Sequence, residues 1–177
     1  APPHIWKFSD VDGDSYFENR EVWFDGQTIT FCANDLHGPY LGRDGWIYWS
    51  KGAFGEQTHA LRNGTTLTSS AAHIYRRHPN GGPIEPIITG GMDNPVEFVM
   101  TRTGDTFFDS TFLHHPGDGL RDGIAHAIYG SVFGKQHNVI DSAKRTGALM
   151  PVMVELGPAA PSGLTTVDRK HFFADPE

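Results

Sequence analysis

A motif of two short strands joined by a turn occurs twice in the chain, and this repeat constrains the fold more than any other feature. The first copy has Pro39 before the turn Gly42-Arg43-Asp44-Gly45, and the second has Pro95 before the turn Arg102-Thr103-Gly104-Asp105. Aromatic and β-branched residues flank both turns. An Asp-Gly pair between β-forming residues is a strong hairpin signal. The sequence therefore predicts two equivalent β-hairpins.

A second repeated motif, a histidine followed by apolar and aromatic residues, occurs three times. Its copies are His4-Ile5-Trp6-Lys7, His73-Ile74-Tyr75-Arg76 and His126-Ala127-Ile128-Tyr129. We expect each copy to begin a third strand, and a fourth strand to follow at 21–26, 83–91 and 151–157. The prolines within 83–91 favour an edge strand there. A long Gly-rich loop over 52–70 separates the first hairpin from its third strand.

Four strands that recur every 40–60 residues or so are typical of propeller blades. The 21 glycines, 12 prolines and 12% aromatic residues favour many turns between short strands. We interpret the chain as all-β and part of a β-propeller, with about two complete four-stranded blades plus flanking strands. It divides into a half blade (1–28), two blades (29–91 and 92–157) and the start of a further blade (158–177), and it reads as a fragment. An ordinary β-sandwich is the alternative.

Charge and composition exclude several partners. The net charge is −7 and no cluster of Lys and Arg is present, which argues against nucleic acid. No apolar run approaches the roughly 20 residues that a membrane span needs. The single cysteine, Cys32, allows no internal disulfide and no multi-cysteine metal site.

The alternating direction of strands in a blade places the starts of all first strands on one face. The first strands line the central axis of a propeller. We therefore expect His37, Asn94 and Ser162 to converge at one end of this axis, here called the mouth, which loops 52–70 and 113–124 surround. A neutral imidazole at His37 can accept a proton from a substrate hydroxyl, so His37 is the candidate catalytic base. The alternatives are a turn histidine at His37, a turn-capping Asn94, and a Ser162 that only shapes its turn.

The loop 113–123 concentrates polar groups that suit a cofactor. Backbone carbonyls at His115 and Pro116, together with a cofactor, suit a hard cation such as Ca²⁺. Arg121 suits a carboxylate on that cofactor. A solvated loop with local salt bridges is the alternative.

A second candidate calcium site lies in the loop after the first strand. Asp10, Asp12, Asp14 and Glu18 place carboxylates at alternating positions beside a glycine, which suits an ion that takes six to eight oxygen ligands. The loop departs from the EF-hand pattern and lies on the face opposite the mouth. We expect a structural ion or, alternatively, a plain acidic turn.

Four segments together resemble a known family: HGPYLGRDGWIYWSKGAFGEQ (37–57), GGMDNPVEFVMTRTGD (90–105), HHPGDGLRDG (114–123) and APSGLT (160–165). They resemble the soluble quinoprotein glucose/sorbosone dehydrogenase-like six-bladed propellers. The likeness is closer to the large secreted bacterial proteins called membrane-bound dehydrogenases, which often carry a haem-binding domain.

This resemblance implies a quinoprotein dehydrogenase that oxidises an alcohol or sugar hydroxyl, with pyrroloquinoline quinone and calcium as cofactors. It implies His37 as the base, backbone calcium contacts at His115 and Pro116, a haem or cytochrome acceptor, and a periplasmic or secreted location. The expected cofactor-binding residues are Asp93, Asn94, His114, His115, Arg121, Asp122 and Ser162.

One departure from that family leaves other functions open. Asp93 stands where the family commonly has an arginine beside the asparagine, which favours a non-catalytic propeller that binds carbohydrate or protein and feeds a fused electron-transfer domain. A metal-dependent, lactonase-like propeller is a third reading, with Asp93, Asn94 and Asp122 as its candidate ligands.

Overall fold

The computed structural model describes residues 2–27, 36–115 and 119–167, and its regular structure is almost entirely β. The expected all-β class is confirmed, and in these ranges the helical structure is a single 3-10 turn at Asn138–Ile140. The strands are β1 (His4–Ser9), β2 (Asn19–Asp25), β3 (Leu36–Leu41), β4 (Ile47–Lys51), β5 (Gln57–Ala60), β6 (Thr66–Ser69), β7 (Ala72–Arg77), β8 (Glu85–Gly90), β9 (Asn94–Met100), β10 (Thr106–Thr111), β11 (Asp122–His126), β12 (Ser131–Phe133) and β13 (Val154–Gly157). The described part of the chain contains no helix that is long and apolar enough to cross a membrane. Cys32, Pro116 and residues 168–177 lie outside the described ranges.

The first predicted hairpin, β3 and β4, lies at one edge of a five-stranded sheet with the order β12-β8-β7-β4-β3. Its turn closes through a hydrogen bond from the Gly45 N–H to the Gly42 carbonyl, 3.0 Å between N and O. Gly45 has a φ of +80°, which glycine adopts without the steric cost that a side chain brings. Strands β3, β4, β7 and β8 are consecutive antiparallel neighbours, as the four-strand unit predicts.

The second predicted hairpin begins a four-stranded sheet with the order β9-β10-β11-β13. All of its neighbouring strands are antiparallel. The Gly104 N–H donates to the Thr101 carbonyl across the turn, with 3.1 Å between N and O. The repeat in sequence therefore corresponds to a repeat in strand pairing.

The sheets stack in layers because side chains on a strand alternate between its two faces. Tyr48 and Ile74 lie on the face of the five-stranded sheet that packs against Phe98 and Phe108 of the four-stranded sheet. The rings of Tyr48 and Phe98 are stacked, with centroids 4.4 Å apart. These aromatic and aliphatic side chains form the main core.

The opposite face of the five-stranded sheet packs against the β1–β2 hairpin. Trp49 and Tyr75 lie on this face, and both are fully buried. Phe24 of β2 contacts Trp49, with ring centroids 4.5 Å apart. Trp23 donates from Nε1 to the Pro79 carbonyl at 2.8 Å. The five-stranded sheet is therefore the middle of three layers.

The third copy of the histidine motif, residues 126–129, does not begin a strand, so that expectation is wrong. Strand β11 ends at His126, the first residue of the motif. After His126 the chain crosses to the five-stranded sheet, where the Gly130 N–H donates to the Ile87 carbonyl at 2.8 Å. There β12 adds to β8 in parallel. This copy of the motif is similar in sequence to the other two, but the pairing of β12 with β8 decides where β11 ends.

Two further expectations about strands need correction. Strand β8 is not an edge strand along its whole length, because β12 pairs with Ile88–Gly90. Pro86 lies outside that paired stretch, where its missing N–H costs no bond to β12. The loop 52–70 also contains regular structure, because β5 and β6 form a hairpin within it.

Candidate functional site

His37 and Asn94 meet where the first strands of the two large sheets begin. His37 lies near the start of β3 and Asn94 is the first residue of β9. The His37 Nε2 and Asn94 Oδ1 atoms are 2.7 Å apart, and both residues are partly buried. The structure thus brings together two of the three residues expected at the mouth. Ser162 is exposed in the irregular segment after β13.

Two hydrogen bonds to the β9 backbone hold this junction in place. The buried Ser50, opposite His37 in the β3–β4 pairing, donates from Oγ to the Pro95 carbonyl at 2.5 Å. The Tyr40 hydroxyl donates to the Val96 carbonyl at 2.7 Å. The two sheets are therefore joined by hydrogen bonds at the two residues that follow Asn94 on β9.

The contact with Asn94 decides which nitrogen of a neutral His37 ring can accept a proton. The Asn94 Oδ1 atom is an acceptor, so the His37 Nε2 atom bonded to it carries the hydrogen. Nδ1 is then the basic nitrogen. A base that is oriented by a third group is the arrangement found in general-base and nucleophile-activating sites.

Two carboxylates that the sequence reasoning missed, Glu97 and Asp109, lie close to this pair. The Glu97 N–H donates to Asp109 Oδ1 at 2.8 Å, and Asp109 is 1% exposed. Burial and the neighbouring Asp109 raise the pKa of Glu97, and burial raises the pKa of Asp109. Positive charge on His37 acts in the opposite direction on both. The signal in the sequence was an aspartate directly after two phenylalanines in the middle of a predicted strand.

Asp93, one of the expected cofactor-binding residues, is engaged within the chain. Lys135 Nζ lies 2.5 Å from Asp93 Oδ1, and both side chains are mostly buried. The Asp93 carbonyl accepts a hydrogen bond from the Ala53 N–H at 3.0 Å. The same ammonium lies 4.9 Å from the centre of the Phe112 ring, within the range of a cation–π contact. Asp93 therefore fastens the segment before β9 to the segment after β12.

Arg121 and Asp122 are also engaged, with each other. Two guanidinium nitrogens of Arg121 lie 2.8 Å from the two carboxylate oxygens of Asp122, whose side chain is fully buried. Asp122 also accepts from the Phe112 N–H at 3.0 Å and from the Ala160 N–H at 2.7 Å. Burial opposes ionisation, but the Arg121 guanidinium and these N–H donors hold the pKa of Asp122 below its usual range. This pair joins the loop after β10 to the segment after β13.

The two adjacent histidines of the same loop line a separate cleft. His114 and His115 share this cleft with Lys135, Gln136 and residues 149–152. His114 Nε2 lies 3.8 Å from Glu155 Oε1, and His115 is exposed. The expected calcium contact through the Pro116 backbone lies outside the described residues.

The acidic loop between β1 and β2 gathers its carboxylates as the sequence suggests. One oxygen each from Asp10, Asp12, Asp14 and Glu18 lies within 4.8 Å of the others, at the surface. Several of these oxygens already accept backbone N–H groups, for example Gly13 N–H to Asp10 Oδ1 at 2.6 Å and Val11 N–H to Glu18 Oε2 at 2.7 Å. The other end of the hairpin is closed by the Gly26 N–H and the Pro3 carbonyl. A structural ion in this loop stays a prediction.

A buried lysine, which the sequence did not predict, lies on the face of the five-stranded sheet that carries Trp49 and Tyr75. Lys51 is 2% exposed and donates from Nζ to the Ala71 carbonyl at 2.9 Å. Burial lowers its pKa to about 7. Its register partner His73 is also buried and lies 2.8 Å, Nε2 to Oγ, from Ser69 on β6. Burial, followed by the Lys51 charge, lowers the pKa of His73 to about 3.

Comparison with known proteins gives the chain a family but no activity. No curated protein gives a significant match, and neither does any solved structure. One family, described as Domain of unknown function (DUF7133), matches residues 1–159, which is most of the chain. The chain therefore belongs to the DUF7133 family.

Proposed function

We propose that this chain is part of a β-propeller with a dehydrogenase-like site that binds an alcohol or sugar hydroxyl. The observation that carries the proposal is the 2.7 Å contact between His37 Nε2 and Asn94 Oδ1. In this proposal His37 Nδ1 accepts the hydroxyl proton, and Asn94 holds the ring in the tautomer that allows it. The four consecutive antiparallel strands β3, β4, β7 and β8 pack face to face against the four-stranded sheet β9-β10-β11-β13, and this supports the propeller architecture.

Three of the side chains expected to hold pyrroloquinoline quinone, Asp93, Arg121 and Asp122, already have partners within the chain. Asp93 is paired with Lys135, and Arg121 is paired with Asp122. The two backbone N–H donors add to the bonds on the buried Asp122 carboxylate. A quinone carboxylate would have to displace one of these pairs to bind there. We therefore derive no step through the quinone, and we assign no electron acceptor.

The contact between His37 and Asn94 also favours a second candidate, a propeller that binds carbohydrate without oxidising it. The polar groups around His37 are hydrogen-bonding side chains: Asn94, Glu97 and Asp109. Such a set suits the hydroxyl groups of a sugar whether or not a proton is transferred. The two candidates share one binding site and differ in whether turnover follows binding.

Turnover measurements on the full-length protein separate the two candidates. Dye reduction is followed with a panel of primary alcohols, polyols and sugars, with and without added quinone and Ca²⁺. A positioned general base typically contributes about 10²–10⁴-fold in rate, so we expect His37→Ala to lower kcat/KM by that factor. The matched control is His78→Ala, because His78 is exposed at the turn after β7.

The outcomes are distinct. Full turnover in His37→Ala, or an equal loss in His78→Ala, contradicts a catalytic His37. Sugar binding in calorimetry without dye reduction supports the second candidate. Calorimetric titration with pyrroloquinoline quinone tests the cofactor itself: saturable, Ca²⁺-dependent binding that weakens when the 114–122 loop is changed supports the quinoprotein reading, and no binding at tens of micromolar contradicts it.

A further inference from the structure

The small β5–β6 hairpin helps to bury a group of four side chains on the five-stranded sheet. Trp49 and Lys51 lie on one face of β4, opposite Tyr75 and His73 of β7 in the strand register. All four residues are at most 2% exposed. Leu67 of β6 packs against the cluster that contains Trp49 and Tyr75. We call these four side chains the covered group.

Several polar atoms of the covered group lack hydrogen-bond partners. Among the described residues, Trp49 Nε1 and the Tyr75 hydroxyl are buried without any partner. Lys51 Nζ donates to the Ala71 carbonyl at 2.9 Å, and no carboxylate of the described residues pairs with it. Buried polar groups without partners cost free energy, because they have lost their hydration. Water admitted beneath the hairpin would hydrate these three groups.

The hairpin is attached to the rest of the protein by few hydrogen bonds. Strands β5 and β6 pair with each other and with no other strand of the described ranges. At the surface, the Gln27 side chain exchanges two 2.8 Å bonds with the Thr58 backbone. On the covered side, Ser69 Oγ lies 2.8 Å from His73 Nε2. The Ile84 backbone bonds to the chain where β5 ends. The hairpin can therefore separate without breaking the ladders of the large sheets.

The titratable groups around the covered group favour its neutral form. Burial lowers the pKa of Lys51 to about 7, and burial followed by the Lys51 charge lowers the pKa of His73 to about 3. His59 of β5 lies against the Tyr75 ring, with ring centroids 5.9 Å apart, and burial lowers its pKa as well. The charged groups that act on His59 from neighbouring elements are Asp25, which opposes this shift, and Lys51 and Arg77, which add to it.

We propose that the β5–β6 hairpin is a pH-sensitive flap, which covers Lys51 and His73 in alkaline solution and opens locally, without unfolding of the sheets, as the pH falls. Opening hydrates both bases, so the open state binds protons that the closed state excludes. For Lys51 the window runs from its ordinary pKa of 10.5 down to about 7, and for His73 from 6.5 down to about 3. In both windows a fall in pH favours the open state. The proposal does not depend on the function proposed for His37.

Hydrogen exchange of the full-length protein at pH 7.5 and pH 9 tests the flap. Mass spectrometry follows peptides from β5 and β6 and from β4 and β7, and each rate is divided by the intrinsic exchange rate at that pH. One proton taken up on opening changes the opening constant by up to tenfold per pH unit. We expect the opening constant of the hairpin to be about 10- to 30-fold larger at pH 7.5 than at pH 9. At both values it should exceed that of β4 and β7 by at least about tenfold.

A pair of lysine variants assigns the pH dependence. In Lys51→Met the opening constant of the hairpin should change by less than about threefold between the two pH values, because the group that titrates in this window is gone. The matched control is Lys7→Met, which removes an exposed lysine of β1 that pairs with Glu21 at the surface. This control should keep the 10- to 30-fold change seen in the unmodified protein.

Three results would overturn the proposal. The first is a hairpin opening constant that is the same at pH 7.5 and pH 9. The second is equal opening constants in the hairpin and in β4 and β7, because exchange would then occur through unfolding of the whole sheet. The third is an unchanged pH dependence in Lys51→Met. The first two results come from the unmodified protein, so they decide the matter even if Lys51→Met fails to fold.

Discussion

Lys51 and His73 face each other in register across β4 and β7, and both are almost completely buried. The amine has one hydrogen bond, to the Ala71 carbonyl, and the described residues provide no carboxylate partner for it. The imidazole contacts Ser69 of the β5–β6 hairpin. Two basic side chains are therefore buried together at a position that favours their neutral forms. This arrangement makes the stability of the fold depend on pH.

Lys51→Met should stabilise the protein, and the gain should shrink as pH rises. The folded pKa of Lys51, about 7, lies below its ordinary value of 10.5. Between these values the unfolded chain binds the extra proton, so this lysine contributes stability that increases with pH over that window. We expect a gain of about 2–4 kcal/mol at pH 6. Chemical denaturation of both proteins at pH 6, 8 and 9.5 measures it, and a gain independent of pH would contradict the assignment.

Arg121→Ala should destabilise the protein strongly. It leaves the buried carboxylate of Asp122 without its cation, so that only the Phe112 and Ala160 N–H donors still stabilise its charge. The double variant Arg121→Met with Asp122→Asn should recover part of that loss, because no buried charge is left. Thermal unfolding of the single and double variants is the measurement. A double variant that is less stable than Arg121→Ala would contradict this reading.

Acid should weaken the same pair. The folded pKa of Asp122 lies below its ordinary value of 3.8. A carboxylate with a depressed pKa contributes stability above its unfolded pKa and loses that contribution as pH falls through the folded pKa. We therefore expect the stability difference between the unmodified protein and Asp122→Asn to shrink below about pH 4. Denaturation curves from pH 6 to pH 3 measure it, and a constant difference would show that the pair does not titrate.

Ser50→Ala should loosen the junction that carries the site. The Ser50 hydroxyl is the donor to the Pro95 carbonyl, and the variant loses this buried hydrogen bond between the two sheets. Such a loss costs about 0.5–1.5 kcal/mol. If the function proposed for His37 is correct, catalysis should also fall, because His37 and Asn94 lie on the two strands that this bond joins. Thr58→Ala, at an exposed bond between β5 and β6, is the control for a general loss of stability.

Gly134→Ala should be far more costly than Gly147→Ala. Gly134 has a φ of +81°, and a Cβ there would lie 2.6 Å from the Met92 backbone nitrogen. At Gly147 a Cβ meets nothing within 4 Å. The tight approach at Gly134 holds β12 beside β8, so the substitution should release the fifth strand of the sheet. Equal melting temperatures for the two variants would contradict this packing argument.

The sequence was sufficient for the features that depend on neighbouring residues. The hairpins at Gly42–Gly45 and Thr101–Gly104 follow from turn chemistry, and the alternation of Tyr48 with Trp49 follows from the period of a strand. The convergence of His37 with Asn94 also followed, because consecutive first strands begin on the same face. These inferences need only local propensity and the repeat of one unit.

Tertiary packing decided the rest. Nothing local to His126 stops β11 there, since the strand ends where the chain leaves to pair with β8. Asp93, Arg121 and Asp122 look like free ligands in the sequence, but partners far along the chain or buried beside them occupy their charges. Lys51, Glu97 and Asp109 look like ordinary strand residues until burial shifts their pKa values. Burial and ion pairing depend on which segments pack together, and no short stretch of sequence specifies that.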